Sequence, residues 1–141
     1  MCGIAGEVRT AGARADVAAV ATMADSLAAR RPDGSGVWAV GPVAFGHRRL
    51  AVIDLSSAAA QPFHRADLGL TIVFNGCIYN YEALRADLVA DGYTFASHGD
   101  TEVILAGYHR WGSSVVDRLV GMFAFAIAER DSGRVVLARD R

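Results

Sequence analysis

Met1-Cys2-Gly3-Ile4-Ala5-Gly6-Glu7-Val8 opens the chain as a short apolar run with glycines at close intervals. This pattern is typical of a buried β-strand whose backbone is closely approached by another part of the molecule. The opening therefore predicts a strand inside the fold, with the thiol of Cys2 at its beginning.

Beyond this strand, apolar periodicity predicts three helices and several more strands. The helices are expected at 15–29, 80–90 and 101–111, where apolar residues recur at three- and four-residue spacing, and Asn80 and Asp100 are suited to cap the last two. Strands are expected at 37–40, 42–47, 50–55, 70–74, 122–128 and 135–138; the fourth ends in a sharp turn at Asn75-Gly76 and the last two form a hairpin. Strands toward both ends with helices between them predict an α+β fold.

Composition narrows the class of protein. The 141 residues are 52% apolar and carry 14 basic against 15 acidic side chains, as in one globular domain that attracts neither nucleic acid nor anionic lipid. The sequence lacks a secretory signal and any apolar run of the roughly 20 residues that span a bilayer, so a cytoplasmic protein is predicted. The chain stops directly after a strand at Asp140-Arg141, which predicts a domain that is incomplete at this end.

Cys2 is the first candidate for chemistry. Methionine aminopeptidase removes Met1 before a small residue, which would place a free α-amine beside the thiol of Cys2. Such an amine titrates near pH 8, so its neutral form can accept the thiol proton and produce the nucleophilic thiolate. The alternative from this residue alone is a small buried side chain at the start of a strand.

Six motifs together resemble the glutaminase domain of the asparagine synthetase family, the class II amidotransferases with an N-terminal nucleophile. They occur in one order and cover most of the chain: residues 1–6, 31–36, 46–54, 75–80, 99–105 and 121–126. The resemblance implies a four-layer αββα sandwich of two mainly antiparallel sheets.

The resemblance also implies roles for individual residues. Cys2 would be the nucleophile, while the Asn75 side chain and the Gly76 N–H would bind the oxyanion. Arg49 would bind the α-carboxylate of glutamine, and Asp100 its amino group. The remaining positions implied in substrate binding are Val52, Ile53 and Cys77. From the residues alone, Asn75-Gly76 could also be only a turn, and Asp100 only a helix cap.

The implied reaction is hydrolysis of glutamine through a thioester. Its ammonia would pass to a C-terminal synthetase domain of the same protein that uses ATP and Mg²⁺, with asparagine or N-acetylglutaminylglutamine amide as the product. Alternatives are an amidohydrolase that releases ammonia without transfer and an inactive glutamine-binding or interaction module. A homodimer is left open. The four histidines and two cysteines lack metal-ligand spacing, so no metal and no cofactor are predicted in this domain itself.

Two positions depart from the common family pattern. Arg31 replaces a glycine, and would be strained if its backbone required a positive φ. Cys77 replaces a glutamate that helps to bind the amino group of glutamine. The sequence from Asn75 to Tyr81 nevertheless resembles the N-acetylglutaminylglutamine amidotransferase branch. A further hypothesis is a disulfide between Cys2 and Cys77, which would require Cα atoms within about 7 Å.

Overall fold

Two antiparallel sheets form the centre of the structure, a computed structural model that describes residues 2–10, 12–28, 33–51 and 53–141. The first sheet contains β1 (Gly3–Val8), β2 (Gly34–Val40) and β3 (Val43–Arg49) in the order β1-β3-β2. The helix α1 (Val17–Asp25) packs on this sheet. A Cβ built on Gly46 of β3 would lie 3.1 Å from the Ala24 Cβ, so glycine permits the close approach of the helix.

The second sheet has the order β4-β5-β6-β7. Its strands are β4 (Phe63–Arg65), β5 (Leu70–Ile78), β6 (Gly121–Glu129) and β7 (Val135–Arg139). The helices α2 (Tyr81–Ala90) and α3 (Asp100–Trp111) cover its outer face and contribute to the larger apolar core. The predicted apolar faces are confirmed at Leu84, Leu88, Ile104, Leu105 and Tyr108, all of which are buried.

The inner faces of the two sheets meet in a smaller core formed by Val43, Phe45, Val73, Ala126 and Ala128. Helix, sheet, sheet and helices therefore succeed one another as four layers. Because each sheet alternates its side chains between two faces, both faces of both sheets can bury apolar residues. The predicted α+β sandwich is confirmed, as is the hairpin of β6 and β7.

Asn75-Gly76 is not the predicted turn. Both residues lie within β5, opposite Ala124 and Phe123 of β6. The approach of β6 is so close that a Cβ on Gly76 would lie 2.1 Å from the Met122 carbonyl oxygen. Glycine is therefore needed here for contact between strands, and not for a reversal of the chain.

Two further predictions of secondary structure were wrong in extent. The first helix begins at Val17 and ends at Asp25, and the hydroxyl of Ser26, the next residue, donates back to the Met23 carbonyl oxygen. The apolar run at 50–55 forms no strand in its described residues, and Leu55 is 76% exposed. Strand β4 and the short 3₁₀ helices at 57–59 and 112–118 were not predicted.

The two predicted caps also differ in detail. Asn80 precedes α2 but makes no side-chain cap bond; its amide instead accepts from the Val120 N–H and donates to the Arg118 carbonyl oxygen. Gly99 is the residue before α3, and Asp100 is the first residue inside that helix. The Asn80 side chain thus connects the start of α2 to the segment before β6, and the Asp100 side chain connects α3 to β5.

Candidate active site

A cavity of about 170 Å³ lies where the beginning of β1 meets β5 and the N-terminus of α3. Most of the residues implied in catalysis or substrate binding line it: Cys2, Arg49, Ile53, Gly76, Cys77 and Asp100. These residues come from segments far apart in sequence, so the fold brings together what the sequence only suggested as a set.

Cys2 is positioned by the backbone that follows β3. Its Sγ lies 3.5 Å from the Leu50 carbonyl oxygen, to which it donates, and 3.4 Å from the Leu50 nitrogen, whose N–H it can accept. These two contacts fix the position of the sulfur beside the backbone of Leu50. The thiol is partly exposed, so a ligand in the cavity can reach it.

The N–H of Gly76 lies on the edge of β5 that faces away from β6. Tyr79 donates to the Val120 carbonyl oxygen at 2.7 Å, which makes this a hydrogen-bonded pair of the antiparallel ladder. Because such pairs alternate, the N–H of Gly76 points away from β6. Its neighbours on this edge donate to side chains: Phe74 to the Gln61 Oε1 at 2.6 Å, and Ile78 to the Asp100 Oδ2 at 3.0 Å.

Strand β4 covers β5 only opposite residues 70–72, so this edge is free of a neighbouring strand at Gly76. Within the described residues, no side chain accepts from the Gly76 N–H either. The Gly76 N–H lies between the hydrogen-bonded N–H groups of Phe74 and Ile78 and faces the cavity. It can therefore donate to the carbonyl oxygen of a bound ligand.

Asn75 lies beside the cavity but is not among the residues that line it. Successive side chains of a strand alternate between faces, so Asn75 is on the same face as Val73, toward the other sheet. Its Oδ1 is buried and has no hydrogen-bond partner among the residues that the structure describes. A buried acceptor without a partner is costly, so this oxygen is available to a donor from a ligand or water. Binding of an oxyanion would use the NH₂ group of the same amide instead.

Asp100 is a buried carboxyl at the start of α3, with 5% of its surface exposed. Burial raises its pKa, although N–H groups of Ile78, Asp100 and Thr101 act in the opposite direction. The cap interpretation is therefore incomplete, since one oxygen bonds to β5 and the residue lines the cavity.

Arg49 lies at the end of β3 and is held by the turn that follows. Its Nη1 donates to the Ser56 carbonyl oxygen at 2.9 Å, and its Nη2 donates to the Asp54 carbonyl oxygen. A guanidinium has five N–H donors, so further donors are left for an anion in the cavity.

Cys77 is a free, partly exposed thiol that lines the same cavity as Cys2. Burial raises its pKa, and the neighbouring charge of Asp100 raises it further. Cys77 is therefore kept in its neutral thiol form, in contrast to the glutamate of the common pattern. The hypothesis of a disulfide with Cys2 stays a prediction.

The complete chain, residues 1–141, matches the family model described as a glutamine amidotransferase domain. The chain belongs to this glutamine amidotransferase family. The predicted family and enzyme class are thereby confirmed.

Relatives of this amidotransferase domain include glutamine-hydrolysing asparagine synthetases. Asparagine synthetase [glutamine-hydrolyzing] 3 of Bacillus subtilis is 43% identical over 84% of this chain and 20% of the relative. A putative asparagine synthetase [glutamine-hydrolyzing] of Mycobacterium tuberculosis is 41% identical over 99% of the chain and 24% of the relative. The chain thus spans about a fifth to a quarter of the length of these relatives.

A solved structure supports the fold of the amidotransferase domain. The glutamine phosphoribosylpyrophosphate amidotransferase from B. subtilis, complexed with ADP and GMP, superposes with a TM-score of 0.78 at 22% sequence identity. The superposition covers 97% of this chain and 37% of that protein. At this identity the likeness concerns the arrangement of sheets and helices.

Sequence reasoning did not identify two polar residues of the cavity. Gln61 bridges β5 and α3, because it accepts from the Phe74 N–H and donates to the Thr101 hydroxyl at 3.3 Å. No periodic pattern marks Gln61, which lies between predicted elements. Asp54 could have been found from the Asp-Leu-Ser spacing, which is typical of a turn closed by an aspartate side chain.

Some predictions stay open in the amidotransferase domain. Val52, and Arg31 with its proposed strain, lie outside the described residues. In the described part of the chain no cluster of three or more His, Cys, Asp or Glu residues could hold a metal ion. None of the helices described there is long and apolar enough to cross a membrane.

Proposed function

We propose that this domain hydrolyses glutamine at Cys2 and supplies the ammonia to an ATP-dependent amidation elsewhere in the protein. The observation that carries the proposal is the convergence of a backbone-held thiol, an unpaired strand N–H, an arginine and a buried carboxylate on one cavity. A free amino acid with a side-chain amide matches these groups in charge and in hydrogen bonding.

The two charged groups on the α-carbon of glutamine would be recognised by opposite charges. Arg49 lines the cavity and keeps donors that its bonds to Asp54 and Ser56 do not use, so it would bind the α-carboxylate. Asp100 would accept from the α-ammonium group, whose positive charge favours the ionised carboxyl despite its burial. This orientation directs the side-chain amide toward Cys2.

In the reaction, the α-amine of mature Cys2 takes the thiol proton and Sγ attacks the amide carbon of glutamine. The developing oxyanion is stabilised by the Gly76 N–H and the Asn75 amide. Collapse of this intermediate breaks the carbon–nitrogen bond, and the amine returns a proton to the departing ammonia. Water then hydrolyses the thioester, which gives glutamate and restores the thiol.

The names of the relatives support asparagine formation as the complete reaction, with aspartate activated by ATP and Mg²⁺ in a C-terminal synthetase domain. The specific alternative, N-acetylglutaminylglutamine amide formation, rests on the sequence from Asn75 to Tyr81, including Cys77. A homodimer stays a prediction.

The intact protein, with its mature N-terminus verified by mass spectrometry, should be given glutamine, ATP, Mg²⁺ and each candidate carboxylate. We expect glutamate and an amidated product, whose mass distinguishes the two acceptors. Ammonia without an amidated product would favour a simple amidohydrolase. Absence of both glutamate and ammonia would favour the inactive binding module.

Replacing Asn75 by alanine should lower kcat for glutamine hydrolysis by about 10²–10³-fold, because it removes one oxyanion donor. The KM for glutamine should change much less, since the donor acts mainly on the transition state. Steady-state ammonia release measures both constants. Asn80→Ala is the matched control: it removes an amide that bonds Arg118 and Val120, and should reduce stability without this loss of kcat. A similar kcat in both variants would contradict the assignment.

Replacing Cys77 by glutamate should lower the KM for glutamine by roughly 3- to 10-fold, the scale of a partly exposed ion pair of about 1 kcal/mol. The added carboxylate would join Asp100 in binding the α-ammonium group. Cys77→Gln has the same size without the charge and should leave KM nearly unchanged. Equal KM values in the two variants would show that Cys77 does not face the amino group.

A further inference from the structure

We propose that Asp54 is a positioning residue that fixes Arg49 and Asp100 at the spacing required by glutamine. The inference rests on the proposed function, since it concerns the same cavity. Asp54 would act without itself binding the substrate: its carboxylate joins the turn that holds Arg49 to the segment that leads into Asp100.

The two oxygens of the Asp54 carboxylate have different partners. Oδ1 accepts from the Ser56 N–H at 2.8 Å and closes a local turn. Oδ2 accepts from the His98 N–H at 2.9 Å, across 44 positions of the sequence. A local turn needs only the first bond. The second bond connects the turn after β3 to the segment before α3.

On one side of this link, the same turn holds the arginine. The carbonyl oxygens of Asp54 and Ser56 both accept from the Arg49 guanidinium. The carboxylate of Asp54 thus faces His98 while the backbone of its turn faces Arg49. Movement of the turn would move the arginine with it.

On the other side, the partner segment is rigidly held. The Arg85 guanidinium donates to the carbonyl oxygens of Ser97 and Gly99, both at 2.8 Å. Gly99 neighbours the turn, since a Cβ built on it would lie 3.7 Å from the Asp54 Cβ, an ordinary van der Waals distance. Asp100 follows directly, so the link from Asp54 ends two residues before the buried carboxyl.

Charge makes this link persistent. The bonds from Ser56, followed by the N–H of His98, lower the pKa of Asp54 to about 2. The carboxylate is therefore ionised throughout the range in which an enzyme works. Hydrogen bonds to a charged acceptor are about twice as strong as neutral ones, which suits a group that fixes distance.

The test is Asp54→Asn in the intact protein. The amide oxygen can still close the turn to Ser56, but an NH₂ group then faces the His98 N–H, donor against donor. We expect the KM for glutamine to rise about tenfold or more, the scale of losing a bond to a charged group, while kcat stays within about threefold. Protection of Cys2 from alkylation by glutamine should weaken in parallel, as a measure of binding without turnover.

Two comparisons separate positioning from a general loss of structure. Asp67→Asn removes another carboxylate whose pKa is lowered to about 2, but that pairs with Arg65 and does not line the cavity, so its KM should be unchanged. In an Arg49→Ala background, Asp54→Asn should have much less effect on KM, because Asp54 acts in part through Arg49. If Asp54→Asn does not fold, Asp54→Ser retains a turn-closing oxygen, and the same rise in KM is expected.

An unchanged KM in a folded Asp54 variant, with an active wild type, would overturn this inference and leave the proposed function intact. An equal rise in the KM for glutamine in the Asp67→Asn control would also overturn it. A wild-type protein that neither releases ammonia nor gains protection from glutamine would overturn the proposed function, and the inference with it.

Discussion

Replacing Cys2 by alanine should abolish glutamine hydrolysis, with a fall in kcat of at least about 10⁴-fold, the scale on which loss of a nucleophile acts in hydrolases. The only other thiol of the chain, Cys77, cannot take over. Burial and the charge of Asp100 raise its pKa, so little thiolate forms, and it has no α-amine beside it. The fold should persist, because Cys2 precedes β1 and is only partly buried.

Ammonia release measures the loss of hydrolysis, and the mass of the protein after alkylation shows which thiols remain. Cys77→Ala is the control, since it removes a thiol from the same cavity and should retain hydrolysis. A protein that keeps Met1 should also be inactive, because the nitrogen of Cys2 is then an amide and cannot accept a proton. Ammonia release by Cys2→Ala above about 1% of the wild-type rate would show that the nucleophile lies elsewhere.

The sequence was informative wherever a residue's role depends on local pattern. The periodicity around Leu84 and Ile104 correctly predicted two helices and their buried faces. The same local reasoning failed at Asn75-Gly76, a dipeptide common in hairpin turns. Whether it forms a turn or a strand depends on β6, which begins more than forty residues later and pairs with it. Long-range pairing overrode a local preference.

The candidate site likewise contains residues that sequence motifs predicted and residues that only the fold reveals. Motifs in the sequence suggested Cys2, Arg49 and Asp100, and the fold places all three on one cavity. The contributions of Gln61 and Asp54 depend on bonds to Phe74 and His98, which no local pattern encodes. Residues that support a site from a distance in sequence become visible only when the backbone groups they satisfy are known.

Glu102 is the strongest example of such support. It is fully buried in α3 and accepts from the N–H groups of Ala96 and Ser97, from the Ser97 hydroxyl at 2.7 Å, and from the Arg65 Nη1 at 2.9 Å. It therefore holds the segment before α3, from which Asp100 enters the cavity. A carboxylate without exposure is tolerable only because these donors replace water.

Replacing Glu102 by alanine should lower the free energy of unfolding by about 3–5 kcal/mol, because it breaks the buried pair with Arg65 and leaves the N–H and hydroxyl of the buried Ser97 without their acceptor. Urea denaturation, with hydrogen exchange to follow this domain within the intact protein, measures the change. Glu82→Ala is the control: its side chain is exposed at the start of α2, and the change should stay within about 0.5 kcal/mol. Similar stabilities of the two variants would contradict the role of Glu102. Release of the segment should also raise the KM for glutamine, since Asp100 would no longer be held opposite Arg49.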